Sequence, residues 1–365
     1  MEIKDSKDIL TSSTILNKKI AIHRGSESNE RQRTPSYTGL RRFSENHTRA
    51  RSTPSGQHKL LLTSKIAQYD IINHYIVLNT LGQGSFSKVI QVLSTIDHKH
   101  YACKIISRKL LKRHAFWSSG VSFENEVKIL KAIDHSRITK LVDVMDDPNA
   151  DAVYLSNCIF NIVFELCKGP IMHIESQTPT KPLEPIECMK AFGQMIDAVS
   201  FLHNNRIIHC DIKPDNILVC FDGNIKLSDF GMSICVPYGK QLLIDSPKET
   251  TPAFTPPEVR DLKRIDGAKV DIFALGVTLY CLFHGTLPWD ADCLPDLYEQ
   301  VSKTEPKFPD STAPYHLILR ELLYKDPTKR TTLAAISKLT QLQPFLVPTT
   351  TKSSKLTELF KKMFQ

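Results

Sequence analysis

The densest group of chemically capable side chains lies between residues 209 and 231, in the strings HCDIKPDNIL and SDFG. It contains the carboxylates of Asp211 and Asp229, the ammonium of Lys213 and the carboxamide of Asn216. Transfer of a phosphoryl group needs a carboxylate that orients the accepting hydroxyl, a cation on the γ-phosphate and oxygen ligands for Mg²⁺. These four side chains supply that set in order, between short apolar segments typical of strands. The stretch therefore predicts phosphoryl-transfer chemistry, because chance assembly of the whole string is negligible.

A glycine-containing segment, LGQGSFSKV at Leu81–Val89, lies upstream between two predicted strands. Gly82 and Gly84 have no Cβ, so their backbone N–H groups can approach phosphate oxygens closely. A dinucleotide-binding loop would continue into a helix, whereas the residues after Ser87 predict a strand. A lone Gly-x-Gly is explained equally well by a hairpin turn without a ligand, and that alternative stays open.

Lys104 lies in the middle of the apolar segment YACKII. A lysine is rarely buried without a partner, and Glu126 on a predicted helix is the candidate partner. Glu124 is two residues away and offers the same carboxylate. In isolation, the simpler interpretation is that the Lys104 ammonium points outward into water.

Strand patterns come first along the chain and helical patterns follow. Strands are predicted at 76–81, 89–93, 101–106, 141–144 and 162–166, and helices at 123–133, 189–204, 270–284 and 317–323. This order predicts an α+β chain in which a smaller sheet-rich lobe joins a larger helical lobe.

Composition excludes several classes of function. Of the formal charge of +8 on 365 residues, residues 1–65 carry +7, from 13 basic and 6 acidic side chains, which leaves about +1 for the rest. We therefore expect no dedicated nucleic-acid site. No apolar run reaches the ~18 residues of a membrane span, so no span is expected. Nine cysteines without a C-x-x-C pair predict reduced thiols, no zinc site, and a cytoplasmic or nuclear location.

The 209–231 stretch resembles the protein kinase signature, and the resemblance covers about residues 72–347. It implies the two-lobed protein kinase fold, with a small antiparallel sheet lobe carrying one main helix and a larger, mostly helical lobe. ATP and Mg²⁺ are the implied cofactors. The implied organisation is a disordered basic leader at 1–70, a kinase domain at 71–347 divided into lobes at 71–167 and 168–347, and a C-terminal tail at 348–365.

The resemblance also implies a role for individual side chains. Asp211 acts as the catalytic base and Lys213 meets the γ-phosphate. Lys104 holds the α- and β-phosphates and pairs with Glu126. The implied Mg²⁺ ligands are Asn216 and Asp229. The implied ATP-binding residues are Leu81, Gly82, Gln83, Gly84, Ser85, Phe86, Ser87, Lys88, Val89, Ala102, Lys104, Glu165, Cys167 and Leu218.

Further side chains match the supporting positions of the same signature. Glu258 of the sequence PPE is expected to pair with Arg330, and Asp271 to brace the catalytic loop. Thr251 resembles the threonine that contacts the catalytic loop in Ser/Thr kinases. Phe164 resembles the gatekeeper, and Glu165–Cys167 resembles the hinge that binds adenine.

A finer resemblance is to the calcium/calmodulin-dependent protein kinase kinase family. It rests on Val144–Asn149, Val163–Leu166, Gly169–Met172, Thr251–Phe254 and Val277–Cys281. Close members of that family phosphorylate the activation loops of other kinases, so other protein kinases are the expected substrates. The family's Arg-Pro-rich insert before the first helix is missing here, where the sequence at 114–120 is HAFWSSG.

The two terminal segments predict partners of different kinds. The leader has basic clusters around Thr34, Ser44 and Ser52, which are candidate phosphorylation sites for a phospho-dependent partner. A solvated basic tail is the alternative. Residues 355–365 combine an apolar helical face with opposed lysines, as a calmodulin target does. The alternative is a terminal helix packed on the large lobe.

Two interpretations of the whole chain compete: an active kinase, and a pseudokinase or scaffold that binds ATP and partners without efficient catalysis. Competent side chains at every catalytic position favour the active enzyme. Most kinases have Arg before the catalytic Asp, where it binds an activation-loop phosphate, but this chain has Cys210. We therefore expect an activation loop that is ordered without phosphorylation. The alternative is that Lys226, Lys240 or Lys248 replaces the arginine.

Overall fold

A computed structural model describes residues 70–83, 87–107, 123–145, 158–247, 250–308, 315–339 and 342–346. The predicted leader, the C-terminal segment at 355–365 and three residues of the glycine loop lie outside these ranges. Those three loop residues are Gly84, Ser85 and Phe86.

Six strands form one sheet in the order β1-β2-β3-β4-β6-β5. They are β1 (Ile71–Ile72), β2 (Tyr75–Gln83), β3 (Ser87–Ser94), β4 (His100–Ser107), β5 (Leu141–Met145) and β6 (Cys158–Glu165). β1 pairs antiparallel with β2, and β5 pairs antiparallel with β6. Helix α1 (Phe123–Ala132) packs on this sheet through Val127, which joins Ile106 and Ile162 in one apolar cluster. The predicted antiparallel sheet with one main helix is confirmed.

The rest of the described chain is mainly helical. Its helices are α2 (Pro185–Asn204), α3 (Glu258–Asp261), α4 (Gly267–His284), α5 (Leu294–Lys303), α6 (Tyr315–Leu322) and α7 (Leu333–Ile336), with 3₁₀ turns at Pro214–Asn216, Pro252–Phe254 and Gln343–Phe345. Its short strands are β7 (Gly169–Pro170), β8 (Ile207–Ile208), β9 (Ile217–Val219), β10 (Ile225–Leu227), β11 (Ile234–Cys235), β12 (Leu243–Asp245) and β13 (Arg264–Asp266). The antiparallel pairs β9–β10, β8–β11 and β12–β13 tie the loops between the helices.

Helix α4 is the centre of the core, and local residue types explain its ends. The side chain of Asp266 accepts a hydrogen bond from the N–H of Ala268 and caps the N-terminus. The helix ends at Gly285, whose φ of 67° is left-handed. A Cβ at Gly285 would clash with the carbonyl of Thr180, so only glycine fits there.

By length and composition α4 could cross a membrane, alone among the helices of the described ranges, but 83% of it is buried inside the protein. A core helix accounts for this composition.

The described residues divide into two compact units. The first contains residues 70–80 and 90–101, and the second contains 81–83, 87–89 and all described residues from 102 onward. The chain passes between the units within β2, β3 and β4. Every residue of the site described below belongs to the second unit.

A pair of histidines, His316 buried and His284 half-buried, predicts acid sensitivity of the fold. His284 and His316 lie with ring centroids 6.0 Å apart, near the rings of Tyr280 and Phe308. His284 Nε2 and both ring nitrogens of His316 are buried without hydrogen-bond partners among the described residues. Burial, reinforced by His316, lowers the pKa of His284 from 6.5 to about 4. Between pH 6.5 and pH 4 the His284 side chain binds a proton in the unfolded chain but not in the folded protein. The contribution of the neutral His284 to the free energy of unfolding is therefore fully present above pH 6.5 and is lost as the pH falls.

We expect the free energy of unfolding to fall by about 2 kcal/mol between pH 7.5 and pH 5, at about 1.4 kcal/mol per unit below pH 6.5. His284→Gln should remove most of this dependence, since its side chain does not titrate. Urea unfolding at both pH values measures the effect, with the exposed His173→Gln as control. An unchanged pH dependence in His284→Gln would contradict the prediction.

Candidate active site

The catalytic loop between β8 and β9 is anchored by one fully buried carboxylate near the start of α4. Asp271 accepts hydrogen bonds from the backbone N–H groups of His209 and Cys210, both at 2.9 Å, and its Oδ2 lies 2.8 Å from His203 Nε2. Cys210 has a φ of 65°, a left-handed conformation that is costly for a residue with a Cβ. The two hydrogen bonds to Asp271 hold it there, and the bracing contact predicted for Asp271 is confirmed.

Asp211 is the centre of a hydrogen-bond network. The hydroxyl of Thr251 donates to Asp211 Oδ1 at 2.7 Å, and Lys213 Nζ lies 2.9 Å from Asp211 Oδ2. Lys213 Nζ also donates to Thr251 Oγ1 at 2.9 Å, so the predicted contact of Thr251 with the catalytic loop is confirmed. Asn216 Nδ2 donates to Asp211 Oδ2 at 2.9 Å and to its carbonyl at 2.8 Å. The Asn216 amide nitrogen is thereby committed to Asp211, and its oxygen is the atom left for a cation.

A second network joins β4, α1 and the segment after β10. Lys104 Nζ lies 3.0 Å from Glu126 Oε1 and 2.8 Å from Asp229 Oδ1. The ammonium therefore points inward, and Glu126 is its partner on α1. Asp229 has a φ of 63°, and a Cβ on Gly231 would lie only 3.3 Å from Asp229 Oδ1. A glycine at 231 keeps the space around that carboxylate open.

Electrostatics fix the charge states of this second network. Burial alone would lower the pKa of Lys104, but the carboxylates of Asp229 and Glu126 outweigh it and raise that pKa. The Lys104 ammonium holds the pKa of Asp229 at about 2, below its usual 3.8. Asp229 therefore stays anionic at neutral pH, as a Mg²⁺ ligand must be.

A cavity of about 470 Å³ opens beside both networks, within the size range of small-molecule sites. The predicted ATP-binding residues that line it are Leu81, Gly82, Gln83, Ser87, Val89, Ala102, Lys104, Glu165, Cys167 and Leu218. Lys88, which was also predicted, is not among the lining residues. A Cβ at Gly82 would meet no atom within 4 Å, so the space in front of this backbone is free for a ligand. Apolar walls, a cation and two metal-competent oxygens fit ATP with Mg²⁺.

Two contacts at the cavity were not predicted, because their members lie far apart in the sequence. His173 Nδ1 lies 2.9 Å from Asp215 Oδ1, and both residues line the cavity. Lys226 Nζ lies 2.6 Å from Glu165 Oε1, which also accepts a hydrogen bond from the backbone N–H of Lys140 at 2.7 Å. Lys226 therefore tethers the hinge and is not available to replace the missing arginine.

The predicted pair of Glu258 and Arg330 is present and fully buried. Arg330 Nη1 and Nη2 donate to the two Glu258 carboxylate oxygens at 2.6 and 3.1 Å. The other guanidinium N–H groups donate to the carbonyls of Tyr324, Lys269 and Lys325. Because all five donors are used, the buried charge is fully compensated. The pair ties the end of the activation segment, the residues between Asp229 and Glu258, to the region after α6.

Comparisons with known proteins agree with this geometry. The family model described as protein kinase domain matches residues 75–342. Serine/threonine-protein kinase GRIK1 of Arabidopsis thaliana is 34% identical over 271 residues, which cover 73% of this chain and 66% of the relative. Serine/threonine-protein kinase STK11 of Homo sapiens is 30% identical over 269 residues, 73% of this chain and 60% of the relative. SNF1-like protein kinase ssp2 of Schizosaccharomyces pombe is 32% identical over 270 residues, which cover 73% of this chain and 44% of the relative. The aligned part thus spans less than two thirds of each relative's length.

Proposed function

This chain is a member of the protein kinase domain family, and we propose that it is an active Ser/Thr kinase whose substrates are other protein kinases. ATP with Mg²⁺ would supply the transferable γ-phosphoryl group. The observation that carries the proposal is the completeness of the two networks. Lys104 is paired with both Glu126 and Asp229, and Asp211 is hydrogen-bonded to Lys213 and Thr251.

The side chains of these two networks can each perform a defined role in phosphoryl transfer. Asp211 can orient a substrate hydroxyl and accept its proton. Lys213, beside that carboxylate, can neutralise charge that develops on the transferred group. Lys104 can hold phosphate oxygens at the other network, and the oxygens of Asn216 and Asp229 can ligate Mg²⁺.

The alternative of a pseudokinase finds no support in the geometry. A scaffold that only binds partners has no need for the carboxylate–ammonium–hydroxyl arrangement at Asp211. Nor does a scaffold need the two ion pairs of Lys104. Holding these charges inside the protein costs desolvation free energy. These features support catalysis over simple binding.

The proposed substrate class rests on the resemblance to calcium/calmodulin-dependent protein kinase kinases. It is tested by incubating the full chain with ATP-Mg²⁺ and a panel of activation-loop segments from other kinases. We expect transfer to the loop threonine or serine, and no transfer to matched segments in which that residue is replaced by alanine. Transfer to generic substrates alone would refute the substrate class, and no transfer to any substrate would refute catalysis.

Regulation of this site should not depend on a phosphate in the activation segment. Cys210, which stands where most kinases have arginine, is buried in an apolar cluster with Val236, Ile244 and Val259. Val236 and Ile244 belong to the activation segment itself, so apolar packing attaches the segment at the place where a phosphate would otherwise bind. Burial, together with the charges of Asp271 and Asp211, raises the pKa of the Cys210 thiol and keeps it neutral.

Strand pairing and side-chain hydrogen bonds to backbone carbonyls hold the same segment. β12 pairs antiparallel with β13, with Ile244 opposite Ile265. Arg206 Nη2 donates to the carbonyls of Pro237 and Lys240. Ser246, a hydroxyl-bearing residue of the segment, donates to the carbonyl of Val259. These hydrogen bonds involve no phosphate, and they support the proposal that the segment is ordered without phosphorylation.

We expect protein made in bacteria and treated with phosphatase to retain activity within a few-fold of the untreated enzyme. Ser246→Ala and Thr250→Ala should likewise stay within a few-fold, since neither hydroxyl is needed as a phosphate carrier. Initial rates on one protein substrate measure this. A hundredfold drop on dephosphorylation, restored by an upstream kinase, would show that the segment requires its phosphate.

A further inference from the structure

Two cysteine sulfurs meet at the hinge end of the cavity. Cys167 Sγ and Cys220 Sγ are 3.9 Å apart; Cys167 lines the cavity and Cys220 is only 9% exposed. The backbone on both sides is fixed, because the N–H of Lys168 donates to the carbonyl of Val219 at 2.8 Å. The N–H of Cys220 donates to the carbonyl of Asn224 at 2.7 Å. The two thiols are thus held side by side by the pairing of β7 with β9 and by the turn after β9.

We propose that Cys167 and Cys220 form a dithiol site for soft electrophiles that two sulfurs complete, with trivalent organoarsenicals as the ligand class. Trivalent arsenic is pyramidal, so with two bonds of about 2.3 Å, the length of a zinc–sulfur bond, and an S–As–S angle of about 100° it separates the two sulfurs by about 3.5 Å. The observed separation of 3.9 Å exceeds this value by about 0.4 Å, and small rotations about the two Cα–Cβ bonds remove that difference without backbone movement. A disulfide would require the sulfurs to approach to about 2.05 Å.

The surroundings distinguish this ligand class from metal ions. A structural zinc site needs four ligands, but no cluster of three or more His, Cys, Asp or Glu side chains suited to a metal occurs in the described ranges. Metal binding also needs thiolates. Burial, together with Cys220, raises the pKa of Cys167 to about 12, and burial raises the pKa of Cys220. Both groups are therefore neutral thiols at physiological pH, so the ligand must remove their protons itself.

An organoarsenic dihydroxide does so by condensation. In the reaction R–As(OH)₂ + 2 Cys–SH → R–As(S–Cys)₂ + 2 H₂O, two As–O bonds break and two As–S bonds form. Each thiol proton leaves with one hydroxide as water, arsenic stays trivalent, and no oxidant is required. Because Cys167 lines the cavity, the adduct places its organic group beside the hinge. The bound adduct therefore excludes nucleotide from the cavity. Of the whole proposal, only this exclusion of nucleotide rests on the proposed kinase function.

Intact-mass measurement of the reduced full chain with one equivalent of phenylarsine oxide tests the site. We expect one phenylarsenic adduct per chain that survives excess 2-mercaptoethanol and is removed by 2,3-dimercaptopropanol, because a chelating dithiol competes and a monothiol does not. Cys220→Ser should keep its basal phosphoryl-transfer activity but lose the monothiol-resistant adduct. Cys167→Ser should lose it too. Cys293→Ser, which removes a single exposed cysteine, is the matched control and should behave like the wild type.

A monothiol-resistant adduct of equal yield in Cys220→Ser, or its absence in the wild type, would overturn the dithiol site. The adduct measurements on the wild type and on Cys220→Ser do not require catalysis. Failure of the dithiol site is therefore distinguishable from failure of the kinase proposal. Excess ATP-Mg²⁺ should slow adduct formation at least tenfold in the wild type. Adduct formation that ATP-Mg²⁺ does not slow would overturn the exclusion of nucleotide by the adduct.

Discussion

Asp211→Asn is expected to lower the rate of phosphoryl transfer by about 10²–10⁴-fold, the usual contribution of a general base. Asparagine has nearly the same size and keeps one oxygen that can accept from Thr251. It has no negative charge, so it can neither accept the substrate proton nor neutralise Lys213, which lies 2.9 Å away. Its NH₂ group would also face Asn216 Nδ2, which now donates to Asp211 Oδ2. The loss should therefore appear in kcat more than in the KM for ATP.

The fold should survive this substitution, because the catalytic loop is anchored by the hydrogen bonds of Asp271 to the backbone of His209 and Cys210. Single-turnover and steady-state rates of purified protein measure the effect, and thermal unfolding checks the fold. The exposed Asp261→Asn is the matched control and should have wild-type rates. If Asp211→Asn transferred phosphate at the wild-type rate, Asp211 would not be the base.

Asp229→Asn should cost at least about a hundredfold in rate, since loss of one anionic Mg²⁺ ligand removes several kcal/mol of charge stabilisation. Asparagine is the informative replacement because Asp229 has a φ of 63°, which Asn tolerates and Ala does not tolerate well. The loss can then be attributed to the ligand and not to backbone strain. Lys104 keeps its ion pair with Glu126 at 3.0 Å, so the rest of the network should remain in place.

Initial rates as a function of Mg²⁺ concentration at fixed ATP identify the cause. We expect the variant to need a higher Mg²⁺ concentration for half-maximal rate, and the wild-type enzyme to stop in excess chelator. Asp261→Asn again serves as the control. Wild-type activity in chelator, or an unchanged Mg²⁺ dependence in Asp229→Asn, would contradict the assignment of Asp229 as a metal ligand.

Local patterns in the sequence were sufficient to predict the catalytic loop and most secondary structure. Asp211, Lys213 and Asn216 lie within one short loop, so their types and spacing already define a chemical set. The periods of apolar residues predicted α1, α2, α4 and α6 within a few residues of their observed ends, because these helices bury one or more faces. Helix α5 was missed, although Leu294, Leu297 and Val301 recur at helical spacing.

The calmodulin target at 355–365, the phospho-dependent partner of the leader and the closeness to calcium/calmodulin-dependent kinase kinases stay predictions. The first two lie outside the described residues. For the third, the relatives named above establish the kinase family and leave the choice of subfamily open.

Contacts between distant parts of the sequence were decided only by the tertiary structure. The choice of Glu126 over Glu124 depends on the rotation of α1 about its axis, which sequence spacing does not specify to one residue. The meeting of Cys167 with Cys220 depends on the register of β7 and β9, and the burial of Cys210 depends on apolar packing of the activation segment. Local patterns arise from interactions within a few residues, whereas these contacts bring together residues far apart in the chain, so only the folded chain determines which side chains meet.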